Sequence, residues 1–441
     1  MMIFRISWFL IKVTDTALLG HVGTDVLAAS AIADLWMSST GVFTMGGILS
    51  TFVGNAVGAG NKKMGGVWLQ VSLIVVGSVT IPVMILWFLT EPVTRGFGVE
   101  GSMAADAGFF ATILALCLPA RTAFGQATQF FSAQKIIRPN AYVTGFGATF
   151  NLVSGLILVL GIPIQNWDGF GFPACPWTTV ATEHLQLLLL WYYACHLKGL
   201  HEECWGGWKW AEITKERLIE YCRMFFPAVL SAASDWWRVS AIGVIATTLG
   251  TLDLAVFNTS YRVTWGTLTI IGSLGGALRV KLGIFLGAGD VQEAKRVVFL
   301  ALVLAIGTLL LLCVLISGFI DGLANVFTDD PEVIRKFVNV RWPLCFMIFF
   351  MNLSVFLEQI LLAMGRTKTV FYAGVIGSWV GQVPGVVMAL YLWRKDLVGL
   401  YWGVTFGYMM LDVLLYFLIH RITWADVVAE AQARGGSKAA K

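Results

Sequence analysis

Charge is scarce in this chain. It has 30 Lys and Arg and 26 Asp and Glu among 441 residues, or 13%. Soluble domains carry about a quarter, so a string of water-soluble domains is excluded. Histidine is scarcer still, and the five (His21, His184, His196, His201 and His420) are scattered. A membrane-embedded enzyme needs acid, base or metal groups converging at one membrane face, and that scatter argues against one. The seven cysteines, at 117, 175, 195, 204, 222, 313 and 345, form no CxxC pair and no zinc spacing. Most fall inside apolar runs and read as core packing. His196, His201, Glu202 and Glu203 match no helical metal pair and fit a cytosolic helix end. No metal or organic cofactor is therefore expected. The net charge of +4 is too small to imply a nucleic-acid partner, and no cleavable signal peptide is expected ahead of the first apolar segment.

What fills the chain instead is apolar. Hydrophobic residues are 57% and mean hydropathy is +0.77. The 47 glycines suit helices that approach closely in lipid. The expected fold is an all-α membrane protein with twelve transmembrane helices. Their approximate ranges are 3–20, 26–55, 67–90, 106–133, 140–163 and 177–197, then 218–248, 253–285, 298–320, 333–363, 369–393 and 398–420. Apart from the first, each offers the ~20 residues that a bilayer core requires. The first is interrupted by Arg5, Lys12 and Asp15 and begins almost at the first methionine. It reads as truncated at its start or as dependent on its neighbours. Residues 1–197 would form an N-lobe and 218–420 a C-lobe, joined by a cytosolic loop at 198–217 and followed by a cytosolic tail at 421–441. That tail, with Gly435-Gly436-Ser437, reads as a short disordered end.

Orientation follows from the excess of Lys and Arg on one side. One set of connections carries Lys62, Lys63, Lys135, Arg138, Lys198, Lys209, Lys215, Arg217, Lys295, Arg296, Arg366 and Lys368. The tail adds Arg421, Arg434, Lys438 and Lys441. This side is expected to be cytosolic, and with it both termini. Trp205, Trp208 and Trp210 in the 198–217 loop would lie at headgroup level. Asp329-Asp330-Pro331-Glu332 has the form of a helix start. Gly58-Ala59-Gly60-Asn61-Lys62-Lys63 lacks the spacing of a phosphate loop and reads as a tight inner turn.

The two halves echo each other. Gly23-Thr24-Asp25-Val26-Leu27-Ala28 returns as Gly250-Thr251-Leu252-Asp253-Leu254-Ala255, and Gly58-Ala59-Gly60-Asn61 as Gly287-Ala288-Gly289-Asp290. Ala133-Gln134-Lys135 has a weaker partner in Met364-Gly365-Arg366. The offsets are 227, 229 and 231 residues. Three landmarks in register point to duplication, common in secondary transporters.

Ionisable groups inside lipid are costly, and they default to functional or paired roles. Asp15 lies in the first span, and Asp235 and Arg238 share one face of the seventh. Arg262 lies in the eighth near Asn258 and Tyr261, Glu358 in the tenth and Asp412 in the twelfth. Asp15 and Asp235 read either as carboxylates that bind a proton or cation, or as fixed ion pairs with Lys12 and Arg238. Glu358, close to Arg366, reads as solvated or structural. Asp412 has no assigned role.

Val13-Thr14-Asp15-Thr16-Ala17-Leu18-Leu19-Gly20-His21-Val22-Gly23 resembles the first-helix signature of the multidrug and toxic compound extrusion (MATE) family, eukaryotic branch. Pro227 through Asp235-Trp236-Trp237 resembles its seventh-helix signature, with Asp for the usual Glu. Trp205-Gly206-Gly207-Trp208, Val380-Gly381-Gln382-Val383-Pro384-Gly385 and Thr423-Trp424 are also similar, so the likeness spans nearly the whole chain. It implies two six-helix lobes flanking a central cavity, in a chain expected to be monomeric. It also implies export of organic compounds, xenobiotics or metabolites, in exchange for protons or Na+ by rocker-switch alternating access. By the resemblance, Asp15 and Asn151 belong to the N-lobe site with Thr179 nearby, and Asp235 and Asn258 to the C-lobe site. Arg238, Tyr261 and Arg262 are further polar candidates there. Departures are Gly155 where relatives carry Asn or Asp, Lys281 for a typical Arg, and no acid in the tenth span near Met351. The expected partners are a small organic substrate and the bilayer. The plasma membrane and a vacuole-like membrane both fit. A lipid-linked oligosaccharide flippase of the same superfamily is the alternative reading.

Overall fold

The structure is a computed structural model that describes residues 2–325 and 330–436. Asp329, Ser437, Lys438 and Lys441 lie outside the described residues. The chain is 84% helical, with no strand among the described residues. The first half contains α1 (Met2–Val22), α2 (Thr24–Gly41), α3 (Leu49–Gly58), α4 (Lys62–Phe88) and α5 (Thr90–Gly96). It continues with α6 (Ser102–Ala115), α7 (Leu118–Ala133), α8 (Arg138–Leu160) and α9 (Ala174–Leu190), before α10 (Lys215–Thr247). The second half follows with α11 (Thr251–Ala288), α12 (Val291–Gly318), α13 (Ile320–Asn325), α14 (Pro331–Asn339) and α15 (Arg341–Ala363). It ends with α16 (Thr367–Val375), α17 (Val383–Leu392), α18 (Leu397–His420) and α19 (Trp424–Arg434).

Among the described residues, eight helical stretches are long and apolar enough to cross a membrane, or nine if the pair α6–α7, bent by 45°, is one span. The expected count of twelve is not fixed by that test. Three expected spans fall outside it: the first and seventh carry too many polar and charged side chains, and the sixth, α9, has only 17 residues before it passes into the π-helical stretch Trp191–Leu197.

The helices form two compact units, Met1–Phe225 and Phe226–Lys441. The division falls inside α10 because its first turns are held by the first unit. Tyr221, fully buried, stacks on Phe52 at 5.3 Å between ring centroids, and Phe52 meets Trp68 at 4.3 Å. The 198–214 connection is fastened to the same place. Lys63 donates to the carbonyl of Trp205 at 2.8 Å, and Gln70 brackets Gly207 and Lys209 at 2.8 and 2.9 Å. Gly66 is required here, since a Cβ would lie 2.4 Å from the Cys204 carbonyl oxygen. Trp208 and Trp210 stack at 5.7 Å and are largely exposed.

In the second unit the tightest approach runs along α17 and α18. The helix from Thr367 to Leu392 has a π-helical stretch, Ile376–Gln382, between α16 and α17. Gly381 and Gly385 face Gly407 and Gly403, where added Cβ atoms would come within 3.3 and 3.0 Å of backbone. Small residues four apart on both partners let backbones touch, the device that replaces hydrophobic collapse in lipid. Asp330 caps α14 by accepting from the Glu332 amide at 2.9 Å, with Pro331 in the first turn, as its sequence implies.

The duplication is visible in the backbone. Gly60 and Gly289 end their helices at φ +77° and +82°. Lys135 (φ +66°) occupies the turn that Gly365 (φ +80°) makes in the second unit. The tail departs from expectation. Its described part folds into α19, with Val427 and Ala431 fully buried and Glu430 paired with Arg366 at 3.0 Å. Its buried residues Val427, Ala431 and Arg434 recur at spacings of four and three, one helical stripe.

Candidate functional site

In the first unit α1, α8 and α9 bring three of the expected residues together. Asp15 is 4% exposed. Thr179 donates to its Oδ2 at 2.8 Å, and Asn151 Nδ2 donates to the Thr179 hydroxyl at 3.3 Å. Asp15 Oδ1 and Asn151 Oδ1 are buried and make no hydrogen bond. Lys12 does not close the pair that its spacing to Asp15 allows. Its ammonium lies 2.7 Å from Asp34 on α2, so Asp34 competes for the only lysine on the inner turns of α1. Gly155 leaves no room for a further polar group, because a Cβ there would meet Leu18 Cδ1 at 2.4 Å. Apolar packing from Leu18 of α1 fills the space beside this position.

A second polar contact in this unit had no sequence signal of its own. Arg121 on α7 forms a two-pronged ion pair with Glu183 on α9, the closest contact being 2.6 Å. The guanidinium also lies 5.7 Å from the Trp87 ring centroid. The two residues are 62 positions apart, and only the fold makes them neighbours.

In the second unit Asp235 and Arg238 form an ion pair at 3.5 Å. This is the long edge of a larger arrangement. Arg238, 5% exposed, donates to the Tyr408 hydroxyl at 2.5 Å and to Gln382 Oε1, and lies over the Tyr408 ring. Ser378 donates to Asp235 at 3.4 Å. Tyr261 lies within electrostatic reach of Arg238, Tyr408 and Asp235. Gln382, which accepts from Arg238, ends the π-helical stretch, a feature frequent at functional sites.

Asn258 and Arg262 are not joined to this group by any hydrogen bond or ion pair; both stand on the exposed side of α11. Helical register explains it. Val256, Ser260, Thr264, Thr267 and Ile271 form the buried stripe, and positions 258 and 262, themselves four apart, belong to the opposite side. Glu358 is half-buried and within electrostatic reach of Asp235, Arg238 and Asp412, while Arg366 pairs with Glu430. Asp412 is 7% exposed and accepts from Ser354 at 2.7 Å. Among the described residues, no group of three His, Cys, Asp or Glu side chains is arranged to hold a metal ion.

Two units, each with a carboxylate on its opening helix (Asp15 buried, Asp235 half-buried) and polar partners on its later ones, resemble one another as duplicated halves should. A family model for MatE matches residues 1–157 and 227–388. The chain belongs to the MatE family. MATE relatives extend over its whole length. Multidrug and toxin extrusion protein 1 of Xenopus tropicalis is 25% identical over 98% of this chain and 74% of its own. Multidrug and toxin extrusion protein 2 of Mus musculus is 24% identical over the same shares. The solved structure of the eukaryotic MATE transporter AtDTX14 superposes with a TM-score of 0.85 at 21% identity, covering 98% of this chain and 96% of that one. The protein is therefore a multi-pass integral membrane transporter of the MATE family and not an enzyme.

Proposed function

We propose that this MATE protein is a secondary active antiporter that exports organic compounds in exchange for protons or Na+ by rocker-switch alternating access. Relatives named for multidrug and toxin extrusion support the export of varied organic molecules. The observation that carries the coupling is the Asp15 carboxylate. It is buried, one oxygen is held by Thr179, the other makes no hydrogen bond, and the nearest lysine is engaged by Asp34. A buried carboxylate in that condition is stabilised by taking up a proton or a cation, and either arrival changes the bonding among α1, α8 and α9. In this scheme ion uptake at Asp15 weakens the hold on substrate, which is released outside, and both termini remain cytosolic.

Cationic and neutral organic compounds fit better than anions. The buried guanidinium of Arg238 already has Asp235, Gln382 and Tyr408 as partners, so an anion would have to displace them. The test is uptake of the fluorescent cation ethidium into proteoliposomes under an imposed pH gradient, then under a sodium gradient. Gradient-driven uptake by wild type and its loss in Asp15→Asn are expected. Equal uptake by both would refute the assignment of Asp15.

A further inference from the structure

Of the seven cysteines, two meet across helices. Cys313 lies near the end of α12 and Cys345 near the start of α15. The Cys313 thiol donates to the Cys345 carbonyl at 3.5 Å, and the Cys345 thiol to the Cys313 carbonyl at 3.7 Å. The two thiols also lie within hydrogen-bond reach of one another. Short side chains that reach each other's carbonyls in both directions stand face to face, and both are free thiols here. Cys117 and Cys175, by contrast, are turned to the Leu114 and Asp15 carbonyls. Cysteine serves well as a small core residue, but packing needs neither two at one crossing nor this mutual orientation. Cys345 is 4% exposed, whereas Cys313 is half-buried. Arg341, about one turn before Cys345, pairs with Asp321 at 3.6 Å, so charge that needs water lies beside the two thiols.

We propose that Cys313 and Cys345 are a redox modification site, a dithiol that hydrogen peroxide converts to a disulfide between α12 and α15. Cys313, the more accessible, attacks one peroxide oxygen as its thiolate. The O–O bond breaks, the other oxygen leaves as water with the thiol proton, and Cys313 becomes a sulfenic acid. Cys345 then attacks the Cys313 sulfur and displaces a second water as the S–S bond forms. The two thiols together lose two electrons and two protons, and the peroxide is reduced to two waters. Closure requires the thiols to turn from the carbonyls to each other, and a thiol is a weak donor, so little bonding is lost. The bond encloses the segment that carries α13 and α14, and α14 already reaches α11 through Lys336 and Asp253 at 2.5 Å. It therefore fastens α11, α12 and α15 at one end of the second unit. α12 begins beside Lys295 and Arg296, and Cys313 lies toward its other end. In the orientation proposed above, the pair is thus away from the cytosol, where disulfides persist. The site is independent of which ion drives transport.

Thiol mapping of the full chain in liposomes tests this. The protein is treated with hydrogen peroxide or with dithiothreitol, then unfolded in sodium dodecyl sulfate with maleimide and digested. After peroxide, two of the seven thiols should escape maleimide, and a peptide joining Cys313 to Cys345 should appear; dithiothreitol should abolish it. The melting temperature should rise on oxidation and return on reduction, because a cross-link restrains the unfolded chain. Both readouts use the wild-type chain, so neither depends on a variant that folds. In Cys345→Ser the sulfenic acid on Cys313 has no resolving thiol and should be labelled by dimedone, whereas Cys313→Ser should leave Cys345 unlabelled. Seven reactive thiols after peroxide, or a cross-link confined to other cysteines, would overturn the proposal. So would dimedone labelling of Cys313 as strong in wild type as in Cys345→Ser.

Discussion

Gly155→Ala is a small change with a calculable result. Gly155 lies on α8 where α1 crosses it, and a Cβ built there falls 2.4 Å from Leu18 Cδ1. That is about an ångström inside ordinary carbon contact. Leu18 is 3% exposed and embedded in the apolar cluster that includes Ala29, Phe110 and Val159, so it has little space in which to turn. Overpacking of this kind costs roughly 1–3 kcal/mol. At roughly 2–4 °C per kcal/mol for a domain of this size, the apparent melting temperature in detergent should fall by several degrees. Leu18→Ala alone leaves a cavity costing roughly 2–5 kcal/mol. The double variant should be less harmed than the sum of the two by about 1–3 kcal/mol, because the alanine methyl then occupies space that leucine vacated. Tryptophan fluorescence during a thermal ramp reads all four proteins. A neutral Gly155→Ala, or strictly additive effects, would refute the claim that Leu18 fills the space beside position 155.

Three other outcomes are expected. Breaking the buried Arg121–Glu183 pair with Glu183→Gln should destabilise the first unit by about 3–5 kcal/mol, since it leaves an uncompensated charge; Arg121→Met with Glu183→Met should recover most of that in the same thermal assay. Lys135→Gly should raise stability by about 1 kcal/mol, because a left-handed turn suits glycine, whereas no gain would mean that the lysine side chain offsets the strain. The hydrogen bond and charge of Lys62 hold the Glu203 carboxyl below its ordinary range. Its contribution to loop docking is then present at neutral pH and lost as pH falls through that lowered value, so hydrogen exchange in 198–214 should rise in acid and, by screening, in high salt.

The architecture was legible because membrane physics is simple to read. Long apolar stretches, the spacing of repeated glycine turns and the Asp330-Pro331 helix start all depend on local sequence. Asp15 and Asp235 stood out for a related reason, as charges where lipid tolerates few. What the sequence could not disclose was pairing. Lys12 is three residues from Asp15 and bonds to Asp34 on another helix. Arg238 is three residues from Asp235 and bonds more closely to Tyr408 and Gln382, some 170 and 144 positions away. Asn258 and Arg262 were attractive by type, but the buried stripe of α11 passes through Ser260 and Thr264. The docking of α19 was concealed because Asp426, Glu430, Gln432 and Arg434 offset its apolar residues and hold its mean hydropathy down.

In the proposed antiport, Asp15 is the residue that links an ion to substrate movement. The most direct measurement is ethidium uptake into proteoliposomes driven by a pH gradient, with Asp15→Asn and Asp15→Glu beside wild type and reconstitution levels matched. Gradient-driven uptake is expected in wild type, with its loss in Asn and at least partial retention in Glu, which keeps an ionisable oxygen near Thr179. Uptake by Asp15→Asn at the wild-type rate, accelerated by the same gradient, would contradict that role.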